Sequence, residues 1–119
     1  MDDVVERRLT SAGIDVKGAL KRFMGNEALL VRFLKKFPED PGCRNLTGAI
    51  ASADMEGAIA AAHTLKGLCA NLSLVTLSNL VARQLELLRA GDLKSAADMM
   101  PEVEAAYAQA TEAILECLQ

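Results

Sequence analysis

Apolar residues recur at helical spacing along almost the whole chain, and no useful stretch alternates apolar and polar residues as a β-strand does. The segment "EALLVRFLKKF" shows the pattern, since its apolar residues fall on one broad stripe of a helix. Half of the residues are hydrophobic, but only three Phe and one Tyr are present and Trp is absent. The core must therefore be built from small and aliphatic side chains, which suits close packing of helices. The chain is predicted to be all-α.

Turn signals divide this pattern into separate helices. Asp15, Asn26 and Asp54 stand where N-caps are expected, and Gly13, Gly25 and Gly91 stand where helices should end. The predicted helices are "DDVVERRL", "VKGALKRFM", "EALLVRFLKKF", "CRNLTGAIASA", residues 55–72, "LVTLSNLVARQLELLRAG" and "LKSAADMMPEVEAAYAQATEAILECL", the last kinked or restarted at Pro101. Because the loops are short, successive long helices should run antiparallel. We expect residues 1–119 to form one domain, an antiparallel up-and-down four-helix bundle with short extra N-terminal helices.

Charge and cysteine usage exclude several classes of protein. The net charge is −3 without a long basic run, which argues against a nonspecific grip on nucleic acid. The acidic start "MDDVVERR" is unlike a secretory signal, and the longest uncharged stretch, residues 67–82, is too short and too polar to span a bilayer. Cys43, Cys69 and Cys117 are far apart in sequence and odd in number, so neither a disulfide pattern nor a zinc site is expected. These features predict a cytoplasmic protein, and Met1 with a full set of helices favours a free-standing one.

The only histidine lies in "AAHTLKGLCANL", residues 61–72. At about 100° per residue, one face of this helix collects the apolar positions and marks the direction of the core. Those positions are Ala58, Ala62, Leu65, Cys69 and Leu72. His63 lies about 140° from that direction, Lys66 about 80°, Gly67 about 180° and Ala70 about 120°. His63 is therefore predicted to point outward, on a strip with Lys66, Gly67 and Ala70.

Two interpretations of this strip are open from spacing alone. In one, the Lys66 cation can reach an anion carried on the imidazole, and Gly67 gives another molecule room to approach the ring. A glycine inside a helix costs about 1 kcal/mol relative to Ala, so it calls for a reason. In the other, His63 and Lys66 belong to a solvated face and Gly67 is a close contact between helices.

The segment "AAHTLKGLCANLSLVTLSNLVARQLE" resembles the signature helix pair of histidine-containing phosphotransfer (HPt) domains, whose motif is H-x-L-K-G followed by small residues. The resemblance extends to "GIDVKGALKRFMGNEALLVRFLKKF", "LLRAGDL" and "MMPEVEAAYAQATEAI", and so covers nearly the whole chain. Two departures stand out. Leu68 and Cys69 replace the Ser or Ala that many members have after the glycine, and the family often has Gly near Ser73. Both departures lie away from the ring or at the helix end, so we expect changed packing and not lost transfer.

The resemblance implies a phosphorelay intermediate. His63 would accept a phosphoryl group from a receiver-domain aspartate, presumed at Nε2, and pass it to the aspartate of a response regulator. Lys66 would offset the phosphoryl charge and Gly67 would admit the partner. The implied partners are receiver domains of response regulators and a hybrid histidine kinase, with neither nucleic acid nor membrane, and the chain itself is expected to be a monomer. No cofactor is expected on this chain, because the receiver would bring Mg²⁺.

A docking surface is expected around the strip. Ala70 and Asn71, on the turn after Gly67, would border it, and Ile59, about 100° from the core direction, is expected to be exposed there. Leu29 and Phe33 are further candidates from another helix.

Two other classes of function were weighed against the carrier. No GxxxxGK[ST] loop is present, so the chain is predicted to be a carrier and not an ATP-dependent kinase. A helical adaptor that binds a partner without phosphoryl transfer would not need His63. An enzyme with His63 as general base would need a second acid or base, for which only Glu56, two turns back, is available on that side. A closed pocket around His63 would favour the enzyme, and an open convex surface would favour the carrier.

Overall fold

The computed structural model describes all 119 residues and contains eight α-helices, a short 3-10 helix and no β-strand. The helices are α1 (Asp3–Ser11), α2 (Val16–Arg22), α3 (Glu27–Lys36), α4 (Gly42–Ala51), α5 (Met55–Asn71), α6 (Val75–Arg89), α7 (Leu93–Asp98) and α8 (Met100–Leu118), with the 3-10 helix at Phe37–Glu39. The predicted all-α class is confirmed.

Side chains that precede the helices supply the missing hydrogen-bond acceptors at their N-termini. The backbone N–H of Gly18 donates to Asp15 at 3.1 Å, and that of Leu29 donates to Asn26 at 3.1 Å. The N–H of Gly57 donates to Asp54 at 2.9 Å, which starts α5. Each bond satisfies a donor that the helix itself leaves free. The three predicted N-caps are confirmed.

Prolines account for the breaks in the helical pattern. Pro38 lies in the 3-10 helix and Pro41 is the residue before α4. Pro101 lies in the first turn of α8, directly after the break at Met99 that separates α7 from α8. Because proline lacks an N–H but tolerates the first turn, the helix restarts there and does not merely kink.

One cluster of 28 buried residues forms the core, and it is dominated by Leu and Ala. Helix α5 packs mainly against α4 and α6. Its buried residues are Ala58, Ala62, Leu65 and Cys69, and Leu72 just beyond its end is also buried. The core direction predicted from the helical wheel is therefore correct.

The segment between α1 and α2 crosses the turn between α5 and α6. The Asp15 N–H donates to the carbonyl of Ser73 at 2.8 Å, and Ile14 forms an isolated antiparallel bridge with Leu74. The two chains approach so closely that a Cβ on Gly13 would lie 2.6 Å from Oγ1 of Thr76. This crossing ties the C-terminal end of α5 to the N-terminal helices.

Ser73 lies in the left-handed region with φ 55°, although it is not a glycine. It is also buried, so it has little freedom to relax. An L-residue in this conformation costs roughly 1–2 kcal/mol, a cost that glycine avoids. The structure thus explains why a glycine suits the end of α5.

We expect the free energy of unfolding of Ser73→Gly to be about 1 kcal/mol higher than that of Ser73→Ala. Both variants lack the hydroxyl, and only the alanine keeps a Cβ in the left-handed conformation. Urea unfolding of the two variants measures the difference. Equal stability would show that the turn carries no backbone strain.

Candidate functional site

His63 lies near the middle of α5, a 17-residue helix held at its start by Asp54. His63 and Gly67 are exposed, and Lys66 and Ala70 are half-buried beside them. We call these four residues the His63 strip. The predicted outward direction of His63 is confirmed.

The imidazole has no partner within the chain. No hydrogen bond or ion pair involves the side chain of His63 or Lys66, whereas the side-chain ion pairs of the structure are Arg8–Glu116 and Lys94–Asp98. The exposed imidazole of His63 is therefore not occupied by a group of this chain, and the Lys66 ammonium group, one turn away, is free to approach a group bound there.

Open space adjoins Gly67. A Cβ built on this residue would meet no atom within 4 Å, so Gly67 is not a close contact between helices. The part of the second interpretation that made Gly67 a close contact between helices is wrong. Gly57 on the same helix differs, because a Cβ there would lie 2.2 Å from a carboxylate oxygen of Asp54. No contact inside the chain therefore offsets the loss of helix stability that Gly67 causes.

The surface around His63 is not a pocket. None of the five surface concavities is lined by His63 or Lys66. Glu56 is exposed on the same side of α5, but it lies seven positions before His63, which is about 10 Å along a helix axis. The residues three and four positions from His63 on α5 are Ile59, Ala60, Lys66 and Gly67, so no carboxylate lies within one turn of the imidazole. This open arrangement argues against general-base catalysis.

The remaining predicted docking residues divide between two places. Ile59 is half-buried and packs against the core, so the expectation that it is exposed is wrong. Leu29 is also half-buried, while Phe33 keeps 43% of its surface exposed. Asn71 is exposed and lies at the end of α5, where it lines a groove with Phe33.

That groove includes residues that the sequence analysis did not predict as part of a site. Arg22 and Phe23, at the end of α2, line it together with Leu68 and Leu72. Leu68 is one of the two departures from the HPt motif, and its side chain is half-buried in this groove. The wheel of a single helix cannot find such a site, because it depends on how α2, α3 and α5 meet.

Cys69, the other departure after the glycine, faces the core. It is fully buried, and this burial raises the pKa of its thiol to about 12, with smaller electrostatic contributions from Cys43 and Asp40 in the same direction. The thiol is therefore protonated near neutral pH and acts as a small apolar side chain. All three cysteines are free. This placement agrees with the expectation that Cys69 alters packing.

Two general properties complete the description of the surface. None of the helices combines the length and apolar character that a membrane crossing needs. No group of three or more His, Cys, Asp or Glu side chains is arranged to hold a metal ion.

Comparisons with known proteins identify one family model that matches the chain. A family model described as "Hpt domain" matches residues 28–113. The matched range begins inside α3, ends inside α8 and includes the whole His63 strip. A search of the curated proteins found no match, and a search of the solved structures found none either.

Proposed function

The chain belongs to the Hpt domain family, whose members carry phosphoryl groups in two-component signalling, and we propose that it is a phosphorelay intermediate. In this role His63 accepts a phosphoryl group from a receiver-domain aspartate and passes it to the aspartate of a response regulator. The observation that carries the proposal is the exposed, unpartnered imidazole of His63 on an open surface beside Gly67. The phosphoaspartate of a receiver must come within bonding distance of the imidazole, and an exposed ring outside any pocket allows that approach.

The transfer needs little from this chain. The lone pair of one ring nitrogen of His63, proposed as Nε2, attacks phosphorus, and the P–O bond to the aspartate breaks with its electron pair leaving on the carboxylate. The other ring nitrogen keeps its proton or releases it to water. The product is a phosphoramidate on His63, and the reverse sequence delivers the group to a second aspartate.

This chain and the receiver contribute different groups to the transfer. This chain supplies the nucleophile, the Lys66 cation and the space beside Gly67. We propose that the Mg²⁺ used in phosphoryl transfer is held by carboxylates of the receiver, and that this chain needs no cofactor of its own. Ala70 and Asn71 are proposed to border the contact, and Ile59 to support it from beneath. The proposed partners are a hybrid kinase and response regulators. We further propose that the step takes place in the cytoplasm and that the chain acts as a monomer.

The direct test is incubation of the chain with a receiver domain carrying labelled phosphoaspartate. A phosphoramidate is labile in acid and stable in alkali, so the label on this chain should show that behaviour and map to His63. No label from any receiver of the same organism would contradict the proposed function.

Lys66→Ala should slow transfer from the receiver about tenfold, because the ammonium group stabilises charge on the phosphoryl oxygens but is partly screened by water. Lys66→Arg keeps a cation at the same place on the helix and should retain most of the rate. Single-turnover labelling of His63 measures all three proteins. If the alanine and arginine variants react equally, the charge of Lys66 has no part in transfer.

A further inference from the structure

Gln84, in α6, carries the only buried side-chain amide of the protein. It is fully buried, and the only other buried polar side chains are those of Ser73 and Thr111. The Thr111 hydroxyl donates to carbonyls of its own helix, those of Tyr107 and Ala108. The Gln84 amide differs from it, because it reaches two other helices.

The nitrogen of the Gln84 amide is fully used, and its oxygen is not. Nε2 donates to the carbonyl of Ala96 in α7 at 2.9 Å and to Sδ of Met100 in α8 at 3.0 Å. The carbonyl oxygen Oε1 is buried and has no hydrogen-bond partner in the chain. Exchanging the positions of Oε1 and Nε2 would place two acceptors, Oε1 and the Ala96 carbonyl, against each other, so the orientation of the amide is fixed. An unpaired buried carbonyl typically costs more free energy than one hydrogen bond returns.

Helix α7 is weakly held against its neighbours α4, α6 and α8. It has six residues, of which only Ala96 is buried, and helices of that length are unstable on their own. The helical backbone is interrupted on both sides of it. Gly91 precedes it with a φ of 80°, and the chain breaks again at Met99, before Pro101. Segments with few buried apolar contacts are the ones that open locally in native proteins.

The Gln84 amide shifts the balance between a closed and an open α7. With α7 in place, Ala96 contacts the amide and Oε1 is shielded from solvent. When α7 moves away, water can reach the amide and pair with its oxygen. The Ala96 carbonyl does not depend on Gln84, since the N–H of Met99 also donates to it at 3.2 Å. The closed state therefore gains little from the amide and carries the cost of its unpaired oxygen.

We propose that α7 is a strap that opens independently of the rest of the bundle, and that the buried amide of Gln84 sets how often it opens. Opening exposes the sides of α4, α6 and α8 on which α7 lies, without unfolding those helices. It requires neither a partner nor a phosphoryl group, so it is independent of the proposed function. The unpaired Oε1 of Gln84 and the single buried residue of α7 are the observations that carry the proposal.

Native-state hydrogen exchange of the wild-type chain tests the strap. The N–H of Ala96, which donates to the carbonyl of Asp92 at 3.2 Å, reports on α7, and the N–H groups of Leu85 and Ala110 report on α6 and α8. Relative to its intrinsic rate, the Ala96 N–H should exchange about a hundredfold faster than the other two. Equal protection of all three would mean that α7 opens only when the whole bundle unfolds, which overturns the strap.

Gln84→Met tests the role of the amide. Methionine is a flexible side chain of similar length and a good helix former, and it has neither the amide donors nor the oxygen. We expect the protection of the Ala96 N–H to rise about tenfold, because removal of the unpaired oxygen outweighs the loss of the hydrogen bond to Ala96. Unchanged or lower protection would show that the amide does not favour opening. Gln84→Leu removes the same groups and gives the same test if the methionine variant does not fold.

Thr111→Val is the matched control. It also removes a buried polar group, but the Thr111 hydroxyl bonds only within α8 and not to α7. The Ala96 N–H should keep its protection within about twofold of the wild type in this variant. A rise equal to that in Gln84→Met would be a general effect of a more apolar core, and it would overturn the role of Gln84.

Discussion

His63→Gln abolishes labelling by a phosphorylated receiver domain while leaving the helix content and the unfolding temperature at their wild-type values. The fold is expected to persist because the imidazole is exposed and has no hydrogen bond or ion pair within the chain. Gln is a good helix former of similar size, so α5 loses nothing at this position. Transfer is lost because a neutral amide has no nucleophilic nitrogen to form the bond to phosphorus.

Thr64→Gln is the matched control for this experiment. Thr64 is the next residue on α5 and is also exposed, but it faces the groove toward α4 and not the His63 strip. This variant should be labelled at the wild-type rate. A His63→Gln chain that still accepts label, or that still performs the cellular role of the wild type, would favour the adaptor and contradict the carrier.

Gly67→Gln separates stability from transfer. Because a Cβ at Gly67 meets nothing within 4 Å, a side chain there fits without strain. Replacement of the glycine should therefore raise the free energy of unfolding by up to about 1 kcal/mol. The same side chain occupies the space one turn from the imidazole that a receiver must enter. Displacement of the reacting groups by about 1 Å costs on the order of a hundredfold in rate, and we expect transfer from the receiver to fall by that amount.

Gly48→Gln supplies the control, since Gly48 is an exposed glycine inside α4 whose added Cβ also meets nothing within 4 Å. It should gain similar stability and transfer normally. Urea unfolding and single-turnover labelling measure the two quantities on the same samples. Wild-type transfer by Gly67→Gln would show that the partner does not need the open space, and the glycine would then lack an explanation.

The helices themselves were predictable because their signals are local. Asp15, Asn26 and Asp54 cap the helices they precede, and a cap needs only the backbone three residues on. The direction of His63 was predictable for the same reason, since the apolar side of α5 marks the core whatever packs against it.

Errors arose where a neighbour in space mattered. Ile59 was expected to be exposed, because its place on the wheel is about 100° from the core direction. It is half-buried because its side chain packs against the core. For Asn71, the prediction that it borders a docking surface stays a prediction, and the tertiary structure adds that this residue lines a groove with Phe33 of α3.

The sequence by itself determined the helices, their caps and the outward face that carries His63, because hydrogen bonds and periodicity within a segment decide these. Only the tertiary structure excluded a close contact between helices at Gly67, because open space beside a residue depends on where all the other helices lie. The groove that Phe33 and Asn71 line and the left-handed backbone of Ser73 were likewise visible only in the tertiary structure. Both arise where segments far apart in the chain are brought together, and no pattern within one helix encodes those distances.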